Sequence, residues 1–270
     1  MIKNLFISSD IEGTCGITAW DETEPEPQQF LYEYFRTQMS KEVGAACEGA
    51  ILGGVESIRV KDAHSSAQNI IPSMLPKLVT INRGWGNNPF NMINGINEGE
   101  FDAVAFTGYH SPAYSDANPL AHTTNDTIVK ITLNGIRLSE FYDHCLMAAM
   151  IGIPTVFLSG DEGICEFAKE LLPGIVTVTT NKGFAASVTS IHPELAVSLM
   201  KEEMSKAIAN DGKGCLLKLP EKFEVEVCYT TFSKAQRMSY FPEAFRIDER
   251  TVGFKAEDYK DVMTFFHFCV

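Results

Sequence analysis

Short apolar runs of strand length alternate along this chain with longer segments in which apolar residues recur every three or four positions. The first run, Asn4 to Ser9, precedes a helix from about Gln28 to Leu52, whose Phe35, Met39, Val43 and Ala46 share one face and which stops at Gly53-Gly54. Ser57 to Lys61 and Ala103 to Thr107 read as the second and third strands, with an irregular Asn- and Gly-rich excursion over 82–99 between them. The stretch from Tyr109 to Asp126 has the composition of a loop and is long for a connection inside a compact domain. An alternating strand from Thr127 to Leu133, an Asn134-Gly135 turn and a helix from about Ser139 to Ile151 come next. Further strands are expected at Thr155 to Leu158, Ile175 to Thr179 and Glu224 to Cys228, separated by helices near Glu162 to Leu172 and Pro193 to Ala209; helix, short strand and helix complete the chain. Such alternation predicts an α/β layered fold with a central, mostly parallel sheet flanked by helices.

With 270 residues and 45% hydrophobic content the chain can bury a substantial core. Residues 1–270 read as one unit, with room for a closely packed C-terminal α/β subdomain near 222–270. The net charge of -13 is spread along the sequence, and no Lys/Arg cluster supplies the footprint of a nucleic-acid or anionic-membrane partner. Seven cysteines, with no CxxC pair and no regular spacing, fit reduced thiols. The apolar part of MIKNLFISSD is shorter than the roughly 7 to 15 residues of a signal sequence, and no run approaches the roughly 18 of a membrane span, so a soluble cytoplasmic protein is expected.

In open α/β sheets, ligands sit beyond the carboxyl ends of the strands. Three of the apolar runs end there in carboxylates or histidines: Asp10 and Glu12 after the first, Asp62 and His64 after the second, His110 after the third. Side chains at i and i+2 of a strand project to one face, so each pair acts together. Carboxylate oxygens mixed with imidazole nitrogens, and no thiolate, suit Zn²⁺, Mn²⁺ or a similar divalent ion with open coordination positions. Each group also has a plain reading. Asp10 and Glu12 cap a turn, Asp62 caps the next element, and His64 and His110 are a loop histidine and a backbone-bonded one. His122 in the long loop is an acid/base candidate, weak on its own. Glu140 suits the first turn of a helix on electrostatic grounds alone, His144 shares its face as a buried histidine, and Cys15 lacks a neighbouring base. No GxxxxGK[ST], GxGxxG or GxSxG motif is present.

Five motifs, SSDIEGTCGI (8–17), VKDAHS (60–65), FTGYHS (106–111), AHTT (121–124) and LSEFYDHCLMAAMIGIPTVFLSGD (138–161), occur in one order along most of the chain. In these the chain resembles the zinc-dependent D-aminopeptidases of bacteria, the dipeptide-transport-associated D-aminopeptidase group. The resemblance implies two zinc ions bridged by Asp10, with Glu12 and His64 on one and His110 and Glu140 on the other. It also implies His122 as the catalytic histidine, Asp62 orienting His64 or a bound water, a short peptide substrate, and a large ring-like homo-oligomer. Past Lys222 the likeness is confined to the pattern of strands and helices, and none of these residues distinguishes a D from an L side chain.

Two rival functions keep the same residues. One is a binuclear metallohydrolase of another small amide or a phosphoester, disfavoured because only Lys61 and Arg137 lie near the ligand motifs in sequence. The other is a non-catalytic module holding a structural ion.

Overall fold

The computed structural model describes residues 1–270. Its larger sheet is built from β1 (Asn4–Ser9), β2 (Ser57–Asp62), β3 (Val79–Asn82), β4 (Ala103–Tyr109), β7 (Thr155–Asp161), β8 (Val176–Phe184) and β9 (Ser187–Ser190). The strand order is β3-β2-β1-β4-β7-β8-β9, parallel throughout except for the final β8–β9 hairpin. Connections run outward in one direction from β1 and in the other from β4, so the order reverses between these two neighbours. A crevice opens at such a switch point beyond the carboxyl ends of the strands.

Helices α1 (Gln29–Leu52) and α4 (Pro193–Ala209) cover one face of this sheet. Leu5 and Ile7 of β1 point into that layer with Met39, Val43, Met200 and Met204, whereas Phe6 between them points to the opposite core. The alternation follows from the period of two in a strand, and each fully buried side chain of this size contributes roughly 1.5–3 kcal/mol. α1 ends where Gly53 caps it and Gly54 turns at φ 100°.

The opposite face is covered by α2 (Glu140–Met150), α3 (Glu162–Leu171) and a second, antiparallel sheet. That sheet combines β5 (Ile128–Leu133) and β6 (Ile136–Arg137) with β10 (Phe223–Tyr229), β11 (Phe245–Arg246) and β12 (Thr251–Ala256) in the order β11-β12-β10-β5-β6. Helices α5 (Phe232–Met238) and α6 (Tyr259–Cys269) pack on it. Phe106, Phe141, Val225, Phe254 and Phe265 belong to one continuous core, so the second sheet is joined to the first by packing.

The mostly parallel sheet flanked by helices is as expected, with three corrections in detail. The strands expected at 127–133 and 224–228 leave the central sheet and pair with each other antiparallel, a pairing between distant segments that local pattern does not encode. β3 was not anticipated, because four half-exposed residues at a sheet edge carry little apolar signal. The run expected to stop at Thr179 continues through Asn181 and Lys182 into a hairpin, whose polar residues are tolerated at the edge.

Candidate metal centre

Asp10 and Glu12 follow β1 into a turn clasped against the end of β4. The Asp10 N–H donates to Thr107 O and the Gly13 N–H to Gly108 O, both at 2.8 Å. The approach is close enough to require glycine on both sides. A Cβ on Gly13 would lie 1.9 Å from Tyr109 O, and one on Gly108, at φ 69°, would lie 2.3 Å from Asp10 O. The β4–β7 pairing is irregular between Phe106 and Tyr109, immediately before His110.

His64 arrives from the loop after β2. Asp62 does not touch its ring: the Asp62 carboxylate accepts the N–H groups of Asn69 and Ile70 and the Asn69 Nδ2, and Asn69 Nδ2 also donates to His64 O at 2.7 Å. Asp62 therefore braces the loop that carries His64 and leaves the imidazole to other partners. Glu140 enters from the first turn of α2. Ser139 supplies the cap by accepting the Tyr142 N–H, which frees the Glu140 carboxylate to face the cluster. Its Oε1 accepts the N–H of Thr124 at 2.6 Å. Thr124 sits at φ 69°, a costly conformation for a β-branched residue, and uses that N–H on Glu140.

These residues converge. His64 Nδ1 lies 3.1 Å from Glu12 Oε1 and 3.4 Å from Asp10 Oδ1, and His110 Nε2 lies 3.5 Å from Asp10 Oδ2 and 3.3 Å from Glu140 Oε2. Two triads share Asp10, Asp10-Glu12-His64 and Asp10-His110-Glu140, and a third group joins Glu12, His110 and the half-buried His122. All five side chains of the two triads are buried. His122 Nε2 stands over the pair, 3.9 Å from Glu12 Oε1 and 3.7 Å from Glu140 Oε1, and its ring stacks on His110.

Burial and neighbouring charges act against each other across the cluster. Burial pushes the Asp10 carboxyl well above the usual range, and Glu12 beside it adds to the effect. Burial opposes ionisation of Glu12 and Glu140 too, but the charge of His64 outweighs it for Glu12, and that of His110 holds Glu140 at about 2. Burial likewise opposes charging of His64 and His110, yet Glu12 for the first and Glu140 for the second raise them well above the ordinary histidine value. Asp10 Oδ2, Glu12 Oε2, His64 Nε2 and His110 Nε2 are buried without a hydrogen-bond partner, and all four belong to this one cluster. His110 Nδ1 donates to Ser111 O, so the neutral ring turns the Nε2 lone pair toward two carboxylate oxygens. Acceptors facing acceptors are satisfied by a proton or a metal ion, and this mixed O/N set fits zinc.

A cavity of about 300 Å³ opens onto the cluster and is lined by Trp20, Trp85, Asn91, Met92, Asn125 and Asp126 among others. None of these six stood out in the sequence. One signal was available: the chain has two tryptophans, and both line this cavity. Lys61, although near the motifs, donates to Gly84 O and lies under the Trp85 ring, its ammonium lowered to about 8 by burial. The cavity lining contains no lysine or arginine.

The other candidates have structural roles. His144 uses Nδ1 on Glu140 O and Nε2 on the Met92 N–H, which leaves no nitrogen for a metal. Burial pushes the Cys15 thiol up to about 12, and its Sγ donates to Ile191 O. His192 caps α4 by accepting the Glu194 N–H.

The chain matches the sequence model of a family described as D-aminopeptidase over residues 3–268. It is 25% identical over 256 residues to the D-aminopeptidase of Bacillus subtilis (strain 168), covering 94% of this chain and 92% of that protein. Among solved structures it is similar to the "Zn-dependent D-aminopeptidase DppA from Bacillus subtilis, a self-compartmentalizing protease", with a TM-score of 0.89, 22% identity and coverage of 97% of this chain and 95% of that one.

Proposed function

Because the chain belongs to the D-aminopeptidase family, we propose that it hydrolyses short peptides from the N-terminus, with D-residues preferred there, at a centre holding two zinc ions. One observation carries this reading: the two oxygens of Asp10 face different histidines, Oδ1 toward His64 and Oδ2 toward His110. That arrangement supports Asp10 as a bridge, with Glu12 and His64 completing one metal site and His110 and Glu140 the other. Zinc bound there supplies Lewis acidity, which lowers the pKa of water and polarises a carbonyl group.

The remaining steps belong to the chain's own residues. His122 Nδ1 donates to Leu120 O at 2.9 Å, so the neutral ring presents the Nε2 lone pair to the cluster. From there His122 takes a proton from the attacking water and returns it to the leaving amine nitrogen as the peptide bond breaks. Trp20 packs edge-on against His122, with ring centroids 5.1 Å apart, and shields that face of the imidazole. The acidic lining favours a cationic substrate amino group, which supports action on free N-termini. The absence of lysine and arginine from the lining argues against a phosphoester.

The self-compartmentalizing relative supports a closed homo-oligomer here as well. No helix is long and apolar enough to cross a membrane, and the seven cysteines are free, which supports a reducing, cytoplasmic setting. Kinetics on D-Ala-4-nitroanilide and L-Ala-4-nitroanilide with added zinc, beside a phosphoester substrate, test the assignment. Faster cleavage of the D-anilide supports it, and turnover of the phosphoester alone would replace it.

A further inference from the structure

The His64 ring has a partner that the ligand set does not account for. Its Nδ1 faces Asp10 and Glu12, so the atom available to a metal is Nδ1 and the ring proton must sit on Nε2. That outer nitrogen is buried and makes no hydrogen bond of regular geometry, and the group within ion-pair distance of it is Glu24, whose Oε1 is 3.3 Å away. Asp62 cannot serve, since its oxygens are taken by Asn69 and Ile70.

Glu24 is presented by a built turn. Thr23 is fully buried and its Oγ1 donates to Trp20 O, the Glu24 N–H donates to the same carbonyl, and Glu22 Oε2 accepts the N–H groups of Thr18 and Ala19. The second oxygen of Glu24 accepts the hydroxyl of Ser65, the residue after His64, at 3.1 Å. Both oxygens are thus committed to the His64-Ser65 pair. Ser65 is tied in turn to the cavity wall, because its carbonyl accepts the Trp85 Nε1–H at 2.7 Å. A carboxylate on the outer N–H of a ligating histidine fixes the tautomer, orients the ring and raises the basicity of the ligating nitrogen.

We infer that Glu24 is a positioning residue that holds His64 in its ligating orientation by taking the outer N–H of the imidazole. The inference rests on the proposed zinc centre, not on which bond that centre cleaves. Carboxylates in this role affect metal affinity about 10- to 100-fold.

The test is zinc affinity of the full-length protein, read by competition with a chromophoric chelator, for wild type, Glu24→Ala and Glu24→Gln. Glu24→Ala is expected to weaken one zinc equivalent about 10- to 100-fold and leave the other unchanged. Glu24→Gln, whose amide oxygen still accepts but carries no charge, is expected to lose less. Thermal unfolding of the metal-free proteins checks that the turn still forms, and if the alanine variant fails to fold, the glutamine variant decides. Wild-type affinity at both equivalents in either folded variant would overturn the inference, and if KM for peptide then rose, Glu24 would be a substrate ligand instead. Since no peptide enters the affinity measurement, a wild-type protein that binds zinc and cleaves no peptide would defeat the functional reading separately.

Discussion

The imidazole of His122 lies flat on that of His110, with ring centroids 4.3 Å apart and planes 11° apart. The two rings face different pairs of carboxylates: His110 points Nε2 at Asp10 and Glu140, while His122, from the loop above, reaches Glu140 and Glu12 at longer range. His122 is the more exposed and, although it forms a third group with Glu12 and His110, it supplies no atom to the two triads that share Asp10, each of which is complete without it. Its removal should spare the metals and abolish proton transfer. His122→Ala is expected to retain wild-type zinc content by elemental analysis and lose about 10²- to 10⁴-fold in kcat. A variant with full turnover would remove the role assigned to it.

Gly13 holds the site together through what it lacks. With a Cβ 1.9 Å from Tyr109 O, Gly13→Ala must push the Asp10-Glu12 turn away from the end of β4, and so away from His110. The expected cost is about 3 kcal/mol of stability, together with weaker zinc binding, whereas Gly152→Ala, which meets no neighbouring atom but sits at φ 79°, should cost about 1 kcal/mol and leave zinc binding unchanged. Chemical denaturation and chelator competition on both variants measure this; intact affinity in Gly13→Ala would mean that the clasp does not set ligand geometry.

Glu42 makes stability depend on pH away from the metal cluster. Buried on α1, its Oε1 accepts the Cys15 N–H and the Gln38 Nε2, and burial raises its carboxyl from 4.5 to about 7. The folded state therefore keeps a proton that the unfolded chain releases, so the stability contributed is full below pH 4.5 and is lost as pH rises through about 7. The total is on the order of 3 kcal/mol. Glu42→Gln mimics the protonated form: unfolding curves should coincide with wild type near pH 4.5 and show the variant more stable at pH 8. Parallel pH profiles for the two proteins would contradict this.

The five side chains proposed as ligands show where sequence reasoning reaches and where it stops. Asp10, Glu12, His64 and His110 were legible because a strand delivers its last side chains to the sheet edge, and apolar runs announce the strands. Glu140 was hidden from pattern and spacing and is picked out in the sequence only by the family resemblance, because a carboxylate in the first turn of a helix satisfies the dipole anywhere; the Ser139 cap and the contact with Thr124 show that it faces inward. Residues such as Glu24 and Trp85 come from irregular segments with no period to read. The antiparallel pairing of β5 with β10 joins Val225 to Leu133 across the chain, a contact that no local pattern encodes.

Zinc content per chain, measured on the same samples as hydrolysis of D-Ala and L-Ala dipeptides, tests the bridged centre most directly when wild type is set beside Asp10→Ala. About two equivalents of zinc with D-selective cleavage in wild type, and loss of both metals and activity in the variant, is the predicted result. A wild-type protein that binds no zinc when supplied with it, or an Asp10→Ala protein that keeps both equivalents and its activity, would contradict the account.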